Sequence, residues 1–195
     1  MNKYKTILIF FFLTSLFAPN AHSQLVGFQV SLIEPQGNFG KIFLPSFSYE
    51  IYSNFEEMDD HFKYGMAIDV TVLNPGSDTI NFGVNDIRLY KKTYEFNAGL
   101  IMVYNILKEK FTPFVGLDLF MMCEKYNFTQ LSPYNSGFEK NVDIGLSAMP
   151  KIGCSYEFSD DIVLNAGAGF VYRYKIGSDQ QESFFKYFIS IGYYF

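Results

Sequence analysis

Tryptophan is absent from this 195-residue chain, and cysteine and histidine occur twice each. Two cysteines, Cys123 and Cys154, are too few for a disulfide scaffold. Charged residues make up only 18% of the chain, where globular proteins carry about 25%. The net charge of −5 leaves no basic footprint for nucleic acid. Beyond residue 23, no apolar stretch approaches the ~18 residues that a membrane helix requires, and amphipathic helical periodicity is nearly missing. Aromatic residues, in contrast, are plentiful, with 23 Phe and 15 Tyr, and alternation with a period of two runs through most of the chain.

The N-terminus reads as a secretory signal peptide over residues 1–23. Lys3 and Lys5 supply the positive start, Thr6 to Ala18 is an apolar run too short to span a bilayer, and Ala21-His22-Ser23 offers small residues at a cleavage site. A single domain over residues 24–195 follows by length.

Successive side chains of a strand face opposite sides, so period-2 alternation marks strands with one apolar face. Eight such segments are expected, near Leu25–Glu34, Leu44–Phe55, Phe62–Leu73, Lys91–Ile106, Phe111–Glu124, Val142–Tyr156, Ile162–Lys175 and Phe184–Phe195. In the last of these, Phe185, Tyr187, Ile189, Ile191, Tyr193 and Phe195 share one parity, with Lys186, Ser190 and Gly192 on the other. The connections alternate in length. Glu56–His61, Leu107–Lys110 and Glu157–Asp161 are short, while Pro35–Phe43, Asn74–Tyr90, Lys125–Asn141 and Ile176–Ser183 are mostly longer. An outer-membrane barrel has short periplasmic turns and longer outer loops.

Two patterns support a closed barrel. Gly27, Gly65, Gly99, Gly116, Gly145, Gly153, Gly167, Gly169 and Gly192 all fall on the parity opposite the apolar face. A lumen only just wide enough for side chains requires small inward residues. On the apolar parity, Phe55, Tyr64, Tyr104, Tyr156, Tyr193 and Phe195 gather near one rim. Phe47, Tyr94, Tyr172, Tyr174, Phe185 and Tyr187 gather near the other, with aliphatics such as Ile68, Leu100, Leu119, Ile144, Leu146 and Ile189 between. Two aromatic girdles around an aliphatic band suit a bilayer. The expected fold is an all-β, eight-stranded, antiparallel up-and-down transmembrane β-barrel in a Gram-negative outer membrane.

With this alternation, the signal peptide, Thr112-Pro113-Phe114-Val115-Gly116 and the terminal Tyr193-Tyr194-Phe195, the chain resembles the small outer-membrane barrels typified by the OmpA membrane domain and OmpX. It looks most similar to the outer membrane β-barrel domain proteins of Bacteroidota, including the PorT-like ones. The resemblance implies that the terminal strand is read by the barrel-assembly machinery, with Tyr187, Ile191, Tyr193 and Phe195 carrying that signal. It also allows a role in a secretion or envelope-assembly system.

The inward parity carries Glu50, Asp69, Glu95, Asp118 and Asp143, with Lys151, Arg173, Lys175 and Lys186. An unpaired buried charge is costly, so these are expected to form a lumen charge network that plugs the barrel; a narrow path for small solutes is the alternative. Outer-membrane barrel enzymes of the lipid A deacylase and palmitoyltransferase kind place a Ser or His at the outer rim. The one histidine beyond the leader, His61, is expected in a short periplasmic turn, so no Ser-His pair can form at the outer rim. Asp59-Asp60-His61 reads as a solvated turn rather than a metal site. No enzyme activity and no cofactor are expected. Cys123 and Cys154, at opposite rims, are too far apart to bond. Tyr126, Phe128, Tyr134, Asn135 and Phe138, in an outer loop, are candidate contacts for an unidentified external ligand or secretion partner. A soluble lipid carrier of the lipocalin kind is disfavoured by the absent Gly-x-Trp motif and by the aliphatic face opposite the glycines.

Overall fold

The computed structural model describes residues 24–56, 61–76, 80–83, 86–90, 93–107, 109–131, 136–176 and 181–195. The expected signal peptide lies outside these residues, as do Asp59, Asp60, Tyr134 and Asn135. The elements are β1 Gln24–Pro35, α1 Gly37–Ile42, β2 Ser46–Glu56, β3 Phe62–Leu73, β4 Ile80–Gly83, β5 Asp86–Tyr90, β6 Thr93–Asn105, β7 Phe111–Leu131, β8 Ser136–Glu157, β9 Ile162–Lys175 and β10 Gln181–Tyr194. Eight of the strands, β1, β2, β3, β6, β7, β8, β9 and β10, pair antiparallel in that order. β10 returns to β1 with an unbroken register from Leu25↔Tyr194 to Pro35↔Phe184. The molecule is therefore a closed up-and-down barrel, with no free edge among its eight staves.

The register also sets the tilt. Starting at Pro35, the pairings lead through Phe184 and Val171 to Met149, which sits between the Ser147–Arg173 and Lys151–Gly169 pairs. They continue through Asp118, Ile101, Gly65 and Asn54 and reach β1 again at Leu25, ten residues from Pro35. A rise of ~3.3 Å per residue and a strand spacing of ~4.8 Å convert that stagger over eight strands into a tilt of roughly 40°.

Each stave presents one face outward. Phe28, Phe47, Ile51, Leu100, Leu117, Leu119, Ile152 and Ile189 are all exposed, the last at 68%. A continuous apolar exterior of this extent is untenable in water and is the surface of a barrel that faces lipid. Tyr64, Tyr104, Tyr156 and Tyr193 ring the short-turn end, and Phe47, Tyr94, Tyr172 and Tyr174 the long-loop end. The tilt corrects one detail of the expected aliphatic band. Leu146 pairs with the rim residue Tyr174 and Ile144 lies beyond it, so both sit near the long-loop end rather than midway.

Gly27, Gly65, Gly99, Gly116, Gly145, Gly153, Gly167, Gly169 and Gly192 face the lumen, where a Cβ would meet an inward side chain or the neighbouring strand. At Gly27, paired with Tyr52, a methyl group would run into the Tyr52 ring. At Gly153 and Gly167, Cβ atoms would meet the rings of Phe114 and Phe188.

The long connections, expected as loops, carry regular structure. β7 and β8 do not stop at the barrel rim. Their pairing runs without a break from Phe111↔Tyr156 to Leu131↔Ser136, through most of the segment expected as the Lys125–Asn141 loop. Within the expected Asn74–Tyr90 loop, β4 and β5 form a hairpin, and β5 docks on the far part of β7 from Ile87↔Leu131 to Tyr90↔Phe128. Short alternations, Ile80-Asn81-Phe82, Ile87-Arg88-Leu89 and Tyr126-Asn127-Phe128-Thr129, run through these segments, too brief among turn residues to stand out as strands, and the backbone ladder continues along them. The sheet thus has ten strands, and eight of them close the barrel.

The Pro35–Phe43 connection contains α1, entered at Gly37 with φ +58°, a value that suits glycine. After it, Phe43 bridges to Pro75, Leu44 N–H donates to Asn74 O at 2.9 Å and Gly76 N–H to Ile42 O at 2.7 Å. This connection is strapped to the end of β3 rather than left open.

Candidate functional site

The lumen is filled in layers, and the strand register determines which side chains meet. At the long-loop end, Arg173 on β9 contacts Glu95 on β6 and lies 3.2 Å from Glu182 on β10. Lys175, one turn of the pleat higher, reaches Glu182 at 2.7 Å, Glu124 at 2.8 Å and Asp143 at 3.7 Å.

Beneath this ring lies an apolar cluster of Ile33, Phe43, Leu73, Met149, Val171 and Phe184. Phe43 comes from the strap after α1, and the others from β1, β3, β8, β9 and β10. The Arg173 guanidinium caps the cluster, 5.1 Å from the centre of the Phe184 ring.

Mid-lumen holds a belt of buried ion pairs. Lys186 Nζ lies 3.1 Å from Glu50 and 3.0 Å from Asp69. Asn97 donates from its amide nitrogen to Asp69 at 2.9 Å and to Glu95 at 2.6 Å, and the Thr71 hydroxyl donates to Asp69 at 3.0 Å. Lys151 bonds Asp118 at 2.7 Å. Glu50, Asp69 and Asp118 are buried, and a buried carboxylate persists only when cations and donors compensate its lost hydration. Lys151 and Asn97 come from strands next to their acceptors, whereas Lys186 reaches Glu50 and Asp69 across the lumen.

Toward the short turns the lumen opens into a cavity of about 60 Å³. It is polar. Asn165 donates to Ser190 at 2.9 Å and to Tyr52 at 3.1 Å, accepts from Ser155 at 2.6 Å, and Lys63 donates to the Tyr194 hydroxyl at 2.7 Å. At ~15 Å³ each, the volume suits roughly four waters and is far too small for a drug-sized ligand.

The residues singled out from sequence are distributed as follows. Glu50, Asp69 and Lys186 meet, as do Asp118 with Lys151, Glu95 with Arg173, and Asp143 with Lys175. Two partners were missed. Glu124 follows Asp118 on the inward parity of β7, and alternation alone could have found it. Glu182 fell within a segment expected as a loop, although β10 already begins at Gln181. Tyr187, Ile191, Tyr193 and Phe195 are exposed on the exterior, the last at 76%. Tyr126 and Phe128 lie on β7 and Phe138 on β8.

Cys123 pairs in register with Ile144 near the long-loop rim and Cys154 with Pro113 near the short turns; both thiols are free. His61 bonds Asn105 O through Nδ1 at 2.8 Å and stacks on Tyr104. Among the described residues, no three His, Cys, Asp or Glu side chains are grouped to hold a metal.

No protein-family model and no curated protein sequence matches the chain. Solved structures do. A major outer membrane protein from Thermus thermophilus superimposes with TM-score 0.57 at 8% identity, over 88% of this chain and 99% of that one. The attachment invasion locus protein Ail of Yersinia pestis, in complex with the heparin analogue sucrose octasulfate, gives 0.55 at 12% identity, over 89% and 98%. Neisserial surface protein A gives 0.51 at 18% identity, over 88% and 95%. The chain has the fold of a small eight-stranded outer-membrane barrel. At these identities the likeness is one of architecture, and the lumen contacts are read from this chain's own residues.

Proposed function

We propose that this chain is a non-enzymatic integral outer-membrane barrel whose lumen is shut by its own side chains and whose working surface is the long-loop end. The observation that carries the reading is the stack of two barriers in one lumen, the Phe43–Phe184 apolar cluster above the Lys186–Glu50–Asp69 and Lys151–Asp118 pairs. A hydrated ion would have to pass the constriction between the apolar cluster and the Arg173–Glu95–Asn97 contacts and then break buried ion pairs, which is costly. The sheet built from β4, β5 and the far parts of β7 and β8 extends the long-loop end and favours a structural or binding role over transport.

Export by residues 1–23 and insertion guided by the terminal strand complete the reading. Planar-bilayer recording tests the shut lumen. The purified barrel should show no steady conductance, and a stable open level of nanosiemens size would instead establish a pore.

A further inference from the structure

The short-turn end carries apolar side chains that the barrel wall does not need. In the β6–β7 turn, Ile106 and Leu107 are exposed at 51% and 46%, and Phe111 at the start of β7 at 55%. In the neighbouring β8–β9 turn, Phe158 is exposed at 65%. The two turns are joined, since Glu157 N–H donates to Lys110 O at 2.9 Å. Between them Tyr156 belongs to the aromatic girdle, and Lys110 Nζ lies 5.6 Å from its ring centre. Ile106, Leu107 and Phe158 therefore continue the lipid-facing surface past the girdle, with a lysine at its edge.

This arrangement is local. The β2–β3 turn reads Glu56-Glu57-Met58-Asp59-Asp60-His61, with four carboxylates, and the β8–β9 turn reads Glu157-Phe158-Ser159-Asp160-Asp161, with three, so that Phe158 alone of its turn suits the boundary; the β6–β7 turn reads Ile106-Leu107-Lys108-Glu109-Lys110-Phe111. Aliphatic and aromatic side chains flanked by lysines favour the boundary between acyl chains and anionic headgroups, while a run of carboxylates is repelled from it.

We propose that Ile106, Leu107 and Phe158, with Lys110 at their edge, form a lipid-interface anchor, seated in the headgroup–acyl boundary of the leaflet at the short-turn end. Two features favour lipid over a protein partner here: the patch is continuous with the lipid-facing wall, and its lysine sits over a girdle ring. The inference rests on the membrane-spanning reading of the barrel.

Because the chain has no tryptophan, a single introduced one reports its own surroundings. Leu107→Trp, Phe158→Trp, Ile189→Trp and Glu157→Trp would each be refolded into vesicles of phosphatidylcholine and phosphatidylglycerol, with and without bromines on the upper acyl carbons. Tryptophan at 107 and 158 should lose at least half its emission in brominated vesicles and resist aqueous iodide. Tryptophan at 157, beside the polar cavity, should show the reverse. Position 189 lies in the aliphatic band and should be quenched by brominated lipid. If 189 is quenched but 107 and 158 respond only to iodide, the anchor is wrong and the barrel reading stands. Protection of 107 and 158 from iodide without lipid quenching would mean that protein covers the patch, which also overturns the proposal. If 189 is itself untouched by brominated lipid, the membrane reading fails and the anchor with it.

Discussion

Lys186→Met should lower the unfolding free energy of the folded barrel by about 3–5 kcal/mol, the usual consequence of removing one partner from a buried ion pair. Lys186 is the cation that Glu50 and Asp69 share, at 3.1 and 3.0 Å. Methionine fills a similar volume, so the loss reports charge rather than packing. Asp69 keeps its bonds from Asn97 and Thr71, whereas Glu50 loses its 3.1 Å bond from Lys186. Most of the penalty should therefore fall on Glu50. Neutralising the site together, as Lys186→Met with Glu50→Gln and Asp69→Asn, should recover most of the stability, because uncharged groups of similar shape incur no such desolvation cost. Urea titration of the barrel in detergent micelles reads both variants. A loss under about 1 kcal/mol for the single variant, the range of exposed pairs, would mean that water reaches the belt from the cavity below.

Removing Phe195 should cut the amount of chain reaching the outer membrane several-fold while leaving the assembled barrel nearly as stable. Phe195 follows the last residue of β10, pairs with no residue of β1 or β9, and is 76% exposed. Its ring packs edge-to-face on Tyr193, with centres 5.1 Å apart. An exposed terminal residue of this kind contributes within about 0.5 kcal/mol to folded stability. A large drop in membrane level beside an unchanged urea midpoint for the surviving fraction would assign Phe195 to assembly. Normal levels without Phe195 would remove it from the proposed recognition signal of Tyr187, Ile191, Tyr193 and Phe195.

The barrel wall was legible in the sequence because lipid and a narrow lumen impose opposite demands on alternate residues. Two strands, Phe62–Leu73 and Ile162–Lys175, emerge with the bounds that alternation indicated. The outward row of β10, Phe185 through Tyr193, lies where its period placed it, with Phe195 exposed just beyond the strand. That demand ends at the rim. The far parts of β7 and β8, and the β4–β5 hairpin, are held by backbone pairing, and their alternations are only three or four residues long between turn residues, so they read as loop. The strap after α1 was hidden for a different reason: whether Phe43 faces lipid, water or the lumen depends on its bonding to the end of β3, which no local pattern encodes.

Within the lumen, parity identified the inward charges but not their partners. Partnering depends on the ten-residue stagger, which brings Lys186 of β10 beside Glu50 of β2 across the lumen, although β1 lies between these strands in the sheet. The same stagger lifts Leu146 to the level of Tyr174.

The closed barrel spanning a membrane is tested most directly by gel migration of the protein recovered from alkaline-washed outer membranes. Unheated in detergent, it should run faster than after boiling, since a barrel without free edges stays compact until its ladder is melted. Recovery in the soluble fraction, or a single mobility with and without heat, would contradict it.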